Sequence, residues 1–207
     1  MSKTTHREDH LKALYALGHS GTGESEWVST NQMASHLGVK PPSVTAMVHV
    51  LTELGWAEHR PYHGARLTPA GEKLALALVR KHRLWETFLV ERLGFEWDEV
   101  HDIAEQLEHV DSVALVERLD RYLGYPDVDP HGDPIPKADG TFRNMEGVMP
   151  LSELGEFECA VVMGVKANDQ TLSAMRDRGL GLGSKLTKND LVTLPQAWLP
   201  QLMVKTS

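Results

Sequence analysis

The sequence predicts a mainly α-helical chain with small β parts, built from an N-terminal winged helix-turn-helix, a helical middle domain and a C-terminal small β-barrel. Three observations indicate this fold class. Helical segments on both sides of Gly38 precede a short hairpin pattern, further helical segments lead into a proline-rich stretch at 124–136, and strand-like apolar runs appear after residue 148. The expected domains span residues 1–73, 74–140, with a connector from 124, and 148–207.

Three helical segments open the chain. The first covers residues 7–18 and carries an apolar stripe in helical phase. The second covers 31–37, is capped by Ser29 or Thr30, and ends at a glycine that accepts the positive φ of a helix end. The third covers about 41–54 and opens with two prolines, whose missing N–H groups cost little in a first turn. A helix, a tight glycine turn and a helix make helix-turn-helix geometry.

The third helix and the hairpin after it, the wing, are the predicted DNA-reading elements. Strands at 56–60 and 65–68 flank a Pro-Tyr-His-Gly turn. Small polar residues on the outer face of the helix would meet base edges in the major groove, and basic residues would meet phosphates. Because one copy carries few basic residues here, a homodimer on a two-fold operator is expected. The predicted DNA-binding residues are Lys40, Pro42, Ser43, Thr45, Ala46, His49, Arg60 and Arg66.

Three further helices follow the wing. The pair Thr68-Pro69 starts a long helix to about Leu93, the next runs from Trp97 or Asp98 to about His109, and the last covers about 112–123. The four prolines of the connector hold it extended or turning. In the C-terminal part, residues 157–165 read as a strand and 171–178 as a short helix.

Histidines and glutamates recur at helical spacing on the first two of these helices. One set stands at i, i+4, i+7 and i+8, the other at i and i+4, so each is expected to share one helical face. Imidazole and carboxylate ligands without thiolate favour Mn²⁺ or Fe²⁺ and tolerate Zn²⁺ or Co²⁺. The two sets are His101, Glu105, Glu108 and His109, and His82 and Glu86.

The charge distribution agrees with this interpretation. The chain carries a net charge of −8, but residues 40–83 hold seven basic and three acidic residues, whereas 84–129 hold thirteen acidic and three basic ones. A basic module before an acidic one suits a DNA contact followed by a cation site, although two solvated faces of opposite sign remain the alternative. Cys159 is the only cysteine, which excludes a multi-cysteine zinc site within the chain. No apolar run reaches the roughly 18 residues of a membrane span, so a cytoplasmic protein is expected.

Two other classes of function use the same residues. A carboxylate-bridged dimetal enzyme needs a Glu-x-x-His pair in each of two helices, but Gln106 precedes His109 by three residues and Val79 precedes His82 by three. We therefore do not expect an enzyme. A metal-independent DNA-binding or protein-interaction module, with its histidines and glutamates on solvated helix faces, stays open.

Five segments carry a resemblance to a known family. They are 37–48 in the recognition element, 67–71 at the junction of wing and helix, 80–86 and 105–110 on the metal helices, and 130–136 in the connector. The chain resembles the DtxR/MntR family of metal-dependent transcriptional repressors over nearly its whole length. The resemblance implies an SH3-like (FeoA-like) domain for the C-terminal part.

The resemblance also implies two metal positions. The primary one would use Asp9 with Glu105, Glu108 and His109, and the ancillary one His82, Glu86 and His101. Alternatively, His82 would be a ligand of the primary position. Whether the C-terminal domain adds a ligand is open. The candidate ligands in the C-terminal domain are Glu156, Asn168, Asp169, Gln170 and Thr171.

The metal and the partners follow from the same resemblance. Asp9 and Glu105 stand where iron-sensing members carry Met and Cys, and hard oxygen ligands suit Mn²⁺. Lys12 departs from the manganese branch, which has an acidic residue there. Mn(II) is therefore expected first and Fe(II) second, with Zn(II), Co(II) or Cd(II) as substitutes. The resemblance implies double-stranded operator DNA as partner, a homodimer through helices 98–109 and 112–123, no membrane, and repression of genes of metal-ion homeostasis.

Overall fold

The computed structural model describes most of the chain and divides it into two compact units. The first comprises Met1–Arg80 and Ala138–Gly140, the second Lys81–Lys137 and Thr141–Ser207. None of the helices in the described part of the chain has the length and apolar character of a membrane span. The described residues are 3–19, 26–96, 99–142, 147–155, 157–165, 167 and 169–206.

The first unit contains the helix-turn-helix and the wing, as the sequence predicts. Helix α1 begins four residues earlier than expected, and the other elements agree with the prediction within about two residues. Helix α4 starts in this unit and continues into the second. The elements are α1 (Lys3–Gly18), α2 (Thr30–Leu37), α3 (Pro41–Glu53), β1 (Ala57–Arg60), β2 (Gly64–Leu67) and α4 (Pro69–Leu93).

Local side-chain chemistry sets the ends of these helices. Ser29 is the cap of α2: its hydroxyl accepts the Gln32 N–H at 3.2 Å, and the Gln32 side chain accepts the Ser29 N–H at 2.9 Å. Gly38 ends α2 with a φ of 64°, a conformation that costs a glycine little. Thr68 caps α4 by accepting the Gly71 N–H at 3.1 Å. Such caps typically contribute about 1 kcal/mol each.

An apolar core lies behind α3 and supports it. Val44 and Leu51 of α3 are fully buried against Leu14 of α1 and Met33 of α2. Burying side chains of this size contributes about 1.5–3 kcal/mol each. The opposite face of α3 stays in solvent, and the residues predicted to read DNA from it are all exposed: Lys40, Pro42, Ser43, Thr45, Ala46 and His49.

The wing is a two-stranded antiparallel hairpin extended by a bridge from the segment before α2. Glu58 stands opposite Arg66, and Arg60 opposite Gly64. Val28 then pairs with Ala65 through two backbone hydrogen bonds of 2.8 and 2.9 Å. A Cβ on Gly64 would lie 2.0 Å from the Val28 carbonyl oxygen, so only glycine allows this approach.

The second unit combines helices with a four-stranded antiparallel sheet. Across the sheet the strands follow the order β3 (Met149–Pro150), β6 (Leu202–Thr206), β4 (Cys159–Val165) and β5 (Lys185–Thr187). The sheet and the helix after β4 agree with the SH3-like domain expected from the resemblance. Two short 3₁₀ turns, Leu151–Glu153 and Gln196–Trp198, complete the unit. Besides the end of α4, its elements are α5 (His101–Leu107), α6 (Val113–Tyr122), β3 (Met149–Pro150), β4 (Cys159–Val165), α7 (Asp169–Arg176), β5 (Lys185–Thr187), α8 (Asp190–Thr193) and β6 (Leu202–Thr206).

Two helices in this unit differ from the sequence prediction by about two residues at their ends. Helix α5 ends at Leu107, two residues before the expected end at about His109, and the Glu108 N–H still donates to the Ala104 carbonyl oxygen as in a helix. The expected starts of α5, Trp97 and Asp98, lie outside the described residues. Helix α7 begins and ends two residues earlier than expected.

The proline-rich connector is fixed by specific contacts in the second unit. One Asp129 carboxylate oxygen accepts the N–H groups of His131 at 2.8 Å and Asp133 at 2.9 Å. Gly132 packs directly on Gly164 of β4, where a Cβ would come within 1.8 Å of the Gly164 Cα. The connector therefore follows one defined path.

Candidate metal centre

Helix α4 supplies two adjacent candidate ligands to the second unit. His82 and Glu86 stand one turn apart, are both buried, and bring the His82 Nε2 to 3.0 Å from the Glu86 Oε1. Buried carboxylates and imidazoles of this kind require partners, because an unpaired buried charge costs several kcal/mol. The i and i+4 spacing read from the sequence thus places both side chains together, as expected.

His101 of α5 completes a three-ligand group with this pair. Its Nδ1 lies 3.2 Å from the His82 Nε2 and 3.4 Å from the Glu86 Oε1. Metal bonds of about 2.0–2.2 Å separate neighbouring ligand atoms by roughly 3–3.5 Å, so these spacings fit a divalent cation. The group His82, Glu86 and His101 is the ancillary set expected from the resemblance.

Glu108 orients His82 from the other side of its ring. The His82 Nδ1 lies 2.6 Å from the Glu108 Oε2, and Glu108 is only 1% exposed. A proton on Nδ1 makes this contact a hydrogen bond and leaves the Nε2 lone pair for a cation. The same imidazole therefore faces one carboxylate of each expected metal position, and which position it serves stays open.

Hydrogen bonds control the ionisation of Glu86. Burial alone would raise the pKa of its carboxyl group, but hydrogen bonds with His101, His131 and His82 outweigh burial and hold the pKa below its ordinary value. Glu86 is therefore a carboxylate at neutral pH, which is the form that binds a metal.

Asp129 and His131 of the connector form a second group with Glu86, and sequence reasoning missed both as ligands. The His131 Nδ1 lies 3.7 Å from the Glu86 Oε2 and 4.0 Å from an Asp129 oxygen. Burial, followed by repulsion from Glu86 and Asp133, raises the pKa of Asp129 to about 7. An Asp-x-His pair between prolines was the signal in the sequence that could have identified them.

The four residues predicted to share a face of α5 differ in their exposure. His101 and Glu105 are more than half exposed, with side chains 58% and 51% accessible, whereas Glu108 is buried. The His109 Nε2 lies 3.9 Å from the Glu108 Oε1. Glu105 joins none of the three-ligand groups formed by the described residues. Glu108 keeps right-handed helical backbone angles as the cap residue of α5, so the helix end does not exclude a shared face. The shared face and the role of Glu105 both stay predictions.

The remaining predicted ligands lie elsewhere in the chain. Asp9 is a half-buried residue of α1 in the first unit, and its part in a metal site stays a prediction. Of the C-terminal candidates, Gln170 is exposed and Thr171 half-buried. Three others, Glu156, Asn168 and the side chain of Asp169, lie outside the described residues.

The two wing arginines predicted to contact phosphates differ in whether a carboxylate pairs with them. Arg60 is exposed, whereas the Arg66 guanidinium group is paired with Glu58, with a nitrogen–oxygen distance of 2.8 Å. Both guanidinium groups stack over the ring of Trp27, a residue that sequence reasoning did not single out.

Two family models match consecutive parts of the chain. The family model described as "Iron dependent repressor, N-terminal DNA binding domain" matches residues 3–65. The model described as "Iron dependent repressor, metal binding and dimerisation domain" matches residues 68–137. Both describe regulators, which confirms the prediction that the chain is not an enzyme.

Relatives align at about one third identity. The iron-dependent repressor IdeR of Mycobacterium tuberculosis is 34% identical over 129 residues, 62% of this chain but only 54% of that protein, so the match spans about half of the relative. The diphtheria toxin repressor of Corynebacterium glutamicum is 33% identical over 189 residues, 86% of this chain and 81% of that protein.

A solved structure covers more of the chain. The structure titled "Manganese-dependent transcriptional repressor complex with manganese" matches 97% of this chain and 100% of its own, with a TM-score of 0.79 and 32% identity. Its fold and that of the chain agree through both units. The chain therefore belongs to the DtxR/MntR family of metal-dependent transcriptional repressors, in which both iron-dependent and manganese-dependent members are similar to it.

Proposed function

We propose that this chain is a transcriptional repressor that binds operator DNA when Mn²⁺, or alternatively Fe²⁺, occupies its second unit. The observation that carries the proposal is the group of His82, Glu86 and His101, in which His82 and Glu86 are buried and Glu108 orients His82. Buried carboxylates and imidazoles cost stability in a protein that does not use them. Here they lie at the spacing of ligands around one cation.

The ligand atoms determine the order in which metals are preferred. Nitrogen and oxygen ligands without sulfur favour hard or intermediate divalent ions, so Mn²⁺ comes first and Fe²⁺ second, with Zn²⁺, Co²⁺ or Cd²⁺ as substitutes. When bound, the metal supplies positive charge that offsets the buried carboxylates. We assign His82, Glu86 and His101 to one position, and add Asp129 and His131 as ligands that share Glu86.

A second metal position remains an assignment from the family resemblance. It would use Asp9, Glu105, Glu108 and His109. Burial of Glu108 and the 3.9 Å distance between Glu108 and His109 support the last two as ligands. The resemblance assigns Asp9 and Glu105 to the same position.

The partner is double-stranded operator DNA, bound by a homodimer in the cytoplasm. Exposure of the outer face of α3 supports this, because side chains there are free to reach base edges in a major groove. By linkage, metal that raises DNA affinity by about 1–3 kcal/mol must itself bind more tightly when DNA is present.

The test is fluorescence anisotropy of a labelled candidate operator duplex, titrated with protein in chelator, Mn²⁺, anaerobic Fe²⁺ and Zn²⁺. Tight binding only with metal is expected, and the metal that saturates at the lowest free concentration is the preferred one. Equal affinity in chelator and in every metal would contradict the proposal. It would favour instead a metal-independent DNA-binding protein.

A further inference from the structure

Trp27 precedes Val28, the residue that forms the bridge to β2 of the wing. Because Val28 pairs with Ala65, the antiparallel register sets Trp27 beside Arg66, and Arg66 in turn stands opposite Glu58. Arg60, two residues from Glu58 along β1, points to the same side of the sheet. The centres of the Arg60 and Arg66 guanidinium groups lie 4.7 and 4.9 Å from the centre of the Trp27 ring.

The two arginines use their hydrogen-bond donors differently. Glu58 engages Arg66 through two contacts, from Nε at 2.9 Å and from Nη2 at 2.8 Å, so this charge is neutralised. In the part of the chain that the structure describes, Arg60 has no carboxylate partner. Stacking on an aromatic ring uses the flat face of a guanidinium group and leaves its N–H edge free for an anion.

We propose that Trp27 is a positioning residue that holds Arg60 for one phosphate of the DNA backbone, and that Arg66 supports this arrangement and does not itself bind phosphate. An arginine side chain carries about 2 kcal/mol of rotamer entropy, and a ring that fixes it in advance reduces what is lost on binding. The pairing with Glu58 keeps Arg66 from the second phosphate contact that the sequence predicts. This inference rests on the proposed function, since it assumes that the wing meets DNA.

The test uses the full chain with saturating Mn²⁺ and a fluorescein-labelled duplex of mixed sequence, about 30 base pairs long, enough for two half-sites. Phosphate contacts are independent of sequence, so the operator need not be known. Arg60→Ala should weaken binding about five- to tenfold and reduce the slope of log affinity against log salt by about 1. Trp27→Leu should cause part of this loss, and Trp27→Phe, which keeps a ring, should restore most of it.

The combined variant separates positioning from a general structural role. If Trp27 acts through Arg60, Trp27→Leu has no further effect in a protein that already carries Arg60→Ala. An equal loss in both backgrounds, or no loss with Arg60 present, overturns the inference. Thermal melts of each variant show whether the fold is kept.

A matched control tests the charge itself. Arg178 also stacks on an aromatic ring, 5.0 Å from the centre of the Trp198 ring in the second unit, and Arg178→Ala should leave DNA affinity unchanged. Arg66→Ala should reduce affinity less than Arg60→Ala, and a larger loss overturns the assignment. The proposed function fails separately if the wild-type DNA affinity is the same in chelator and in Mn²⁺. The absence of any DNA binding overturns both the proposed function and this inference.

Discussion

The two units place their functional side chains in opposite ways. In the first unit, the residues predicted to read DNA stand in solvent on α3, and an apolar core of Val44, Leu51 and their neighbours supports them from behind. In the second unit, candidate ligands such as Glu86 and Glu108 are themselves buried. A substitution on the first surface should therefore change binding alone, whereas one in the second interior should change binding and stability together.

The difference has an electrostatic cause. A side chain in water keeps its hydration, but a buried carboxylate must be compensated by hydrogen bonds or opposite charge. Imidazole hydrogen bonds compensate Glu86, whose pKa is held low, whereas the pKa of Asp129 is raised to about 7 beside it. One carboxylate of the pair is thus stabilised in its charged form and the other is not.

The largest expected effect comes from removing the charge of the shared ligand. Glu86→Gln should weaken Mn²⁺ binding more than 100-fold, because ligand loss exceeds the roughly 10- to 100-fold cost of disturbing an outer partner. It should also abolish the rise in melting temperature that Mn²⁺ causes. Calorimetric titration and thermal melts with and without Mn²⁺ measure both effects. Glu91→Gln, an exposed position on the same helix, is the control, and wild-type Mn²⁺ affinity in Glu86→Gln would show that the cluster is structural only.

A smaller effect is expected for Asp129→Asn in chelator, where the substitution should increase the free energy of unfolding. Since the folded-state pKa of about 7 exceeds the ordinary 3.8, this carboxyl group contributes stability at low pH that is lost as pH rises through 7. Asparagine can still accept the two N–H groups of the connector. We expect about 1–2 kcal/mol of added stability at pH 8, less than the roughly 4 kcal/mol that the raised pKa represents, because Arg83 loses a partner.

Urea unfolding of this variant at pH 5 and pH 8 measures the effect, which should be smaller at pH 5, where the wild-type group is already protonated. Asp111→Asn, at an exposed residue of the second unit, is the control and should change neither value. A loss of stability that is equal at both pH values would contradict the assigned cause. Mn²⁺ should stabilise Asp129→Asn less than the wild type, if Asp129 is a ligand.

The smallest effect on stability is expected on the DNA-reading surface. Lys40→Ala should change the free energy of unfolding by less than about 0.5 kcal/mol, because the side chain is exposed and makes no capping hydrogen bond. It should nevertheless weaken DNA binding at low salt and lower the salt slope by about 1. Anisotropy and urea unfolding of the same preparation compare the two. A large loss of stability would show that the surface and the core of the first unit are not independent.

Sequence reasoning located the first unit more completely than the second. Ser29, Gly38 and Thr68 act where the sequence places them, because helix caps depend on residues within one turn of each other. His82 and Glu86 were identified for the same reason. Sequence reasoning missed the residues whose partners are distant in the chain, namely Asp129, His131 and Trp27.

By itself, the sequence determined the order of elements from α1 to α6, the exposed face of α3, the pairing of His82 with Glu86, and through its motifs the family. These features depend on periodicity and on neighbours along the chain. Only the tertiary structure decided that the connector brings Asp129 and His131 to Glu86. It also decided that Glu58 pairs with Arg66, and that Arg60 stacks on Trp27. Both depend on close backbone approaches, of Gly132 to Gly164 and of Gly64 to Val28, which join segments that no local pattern relates.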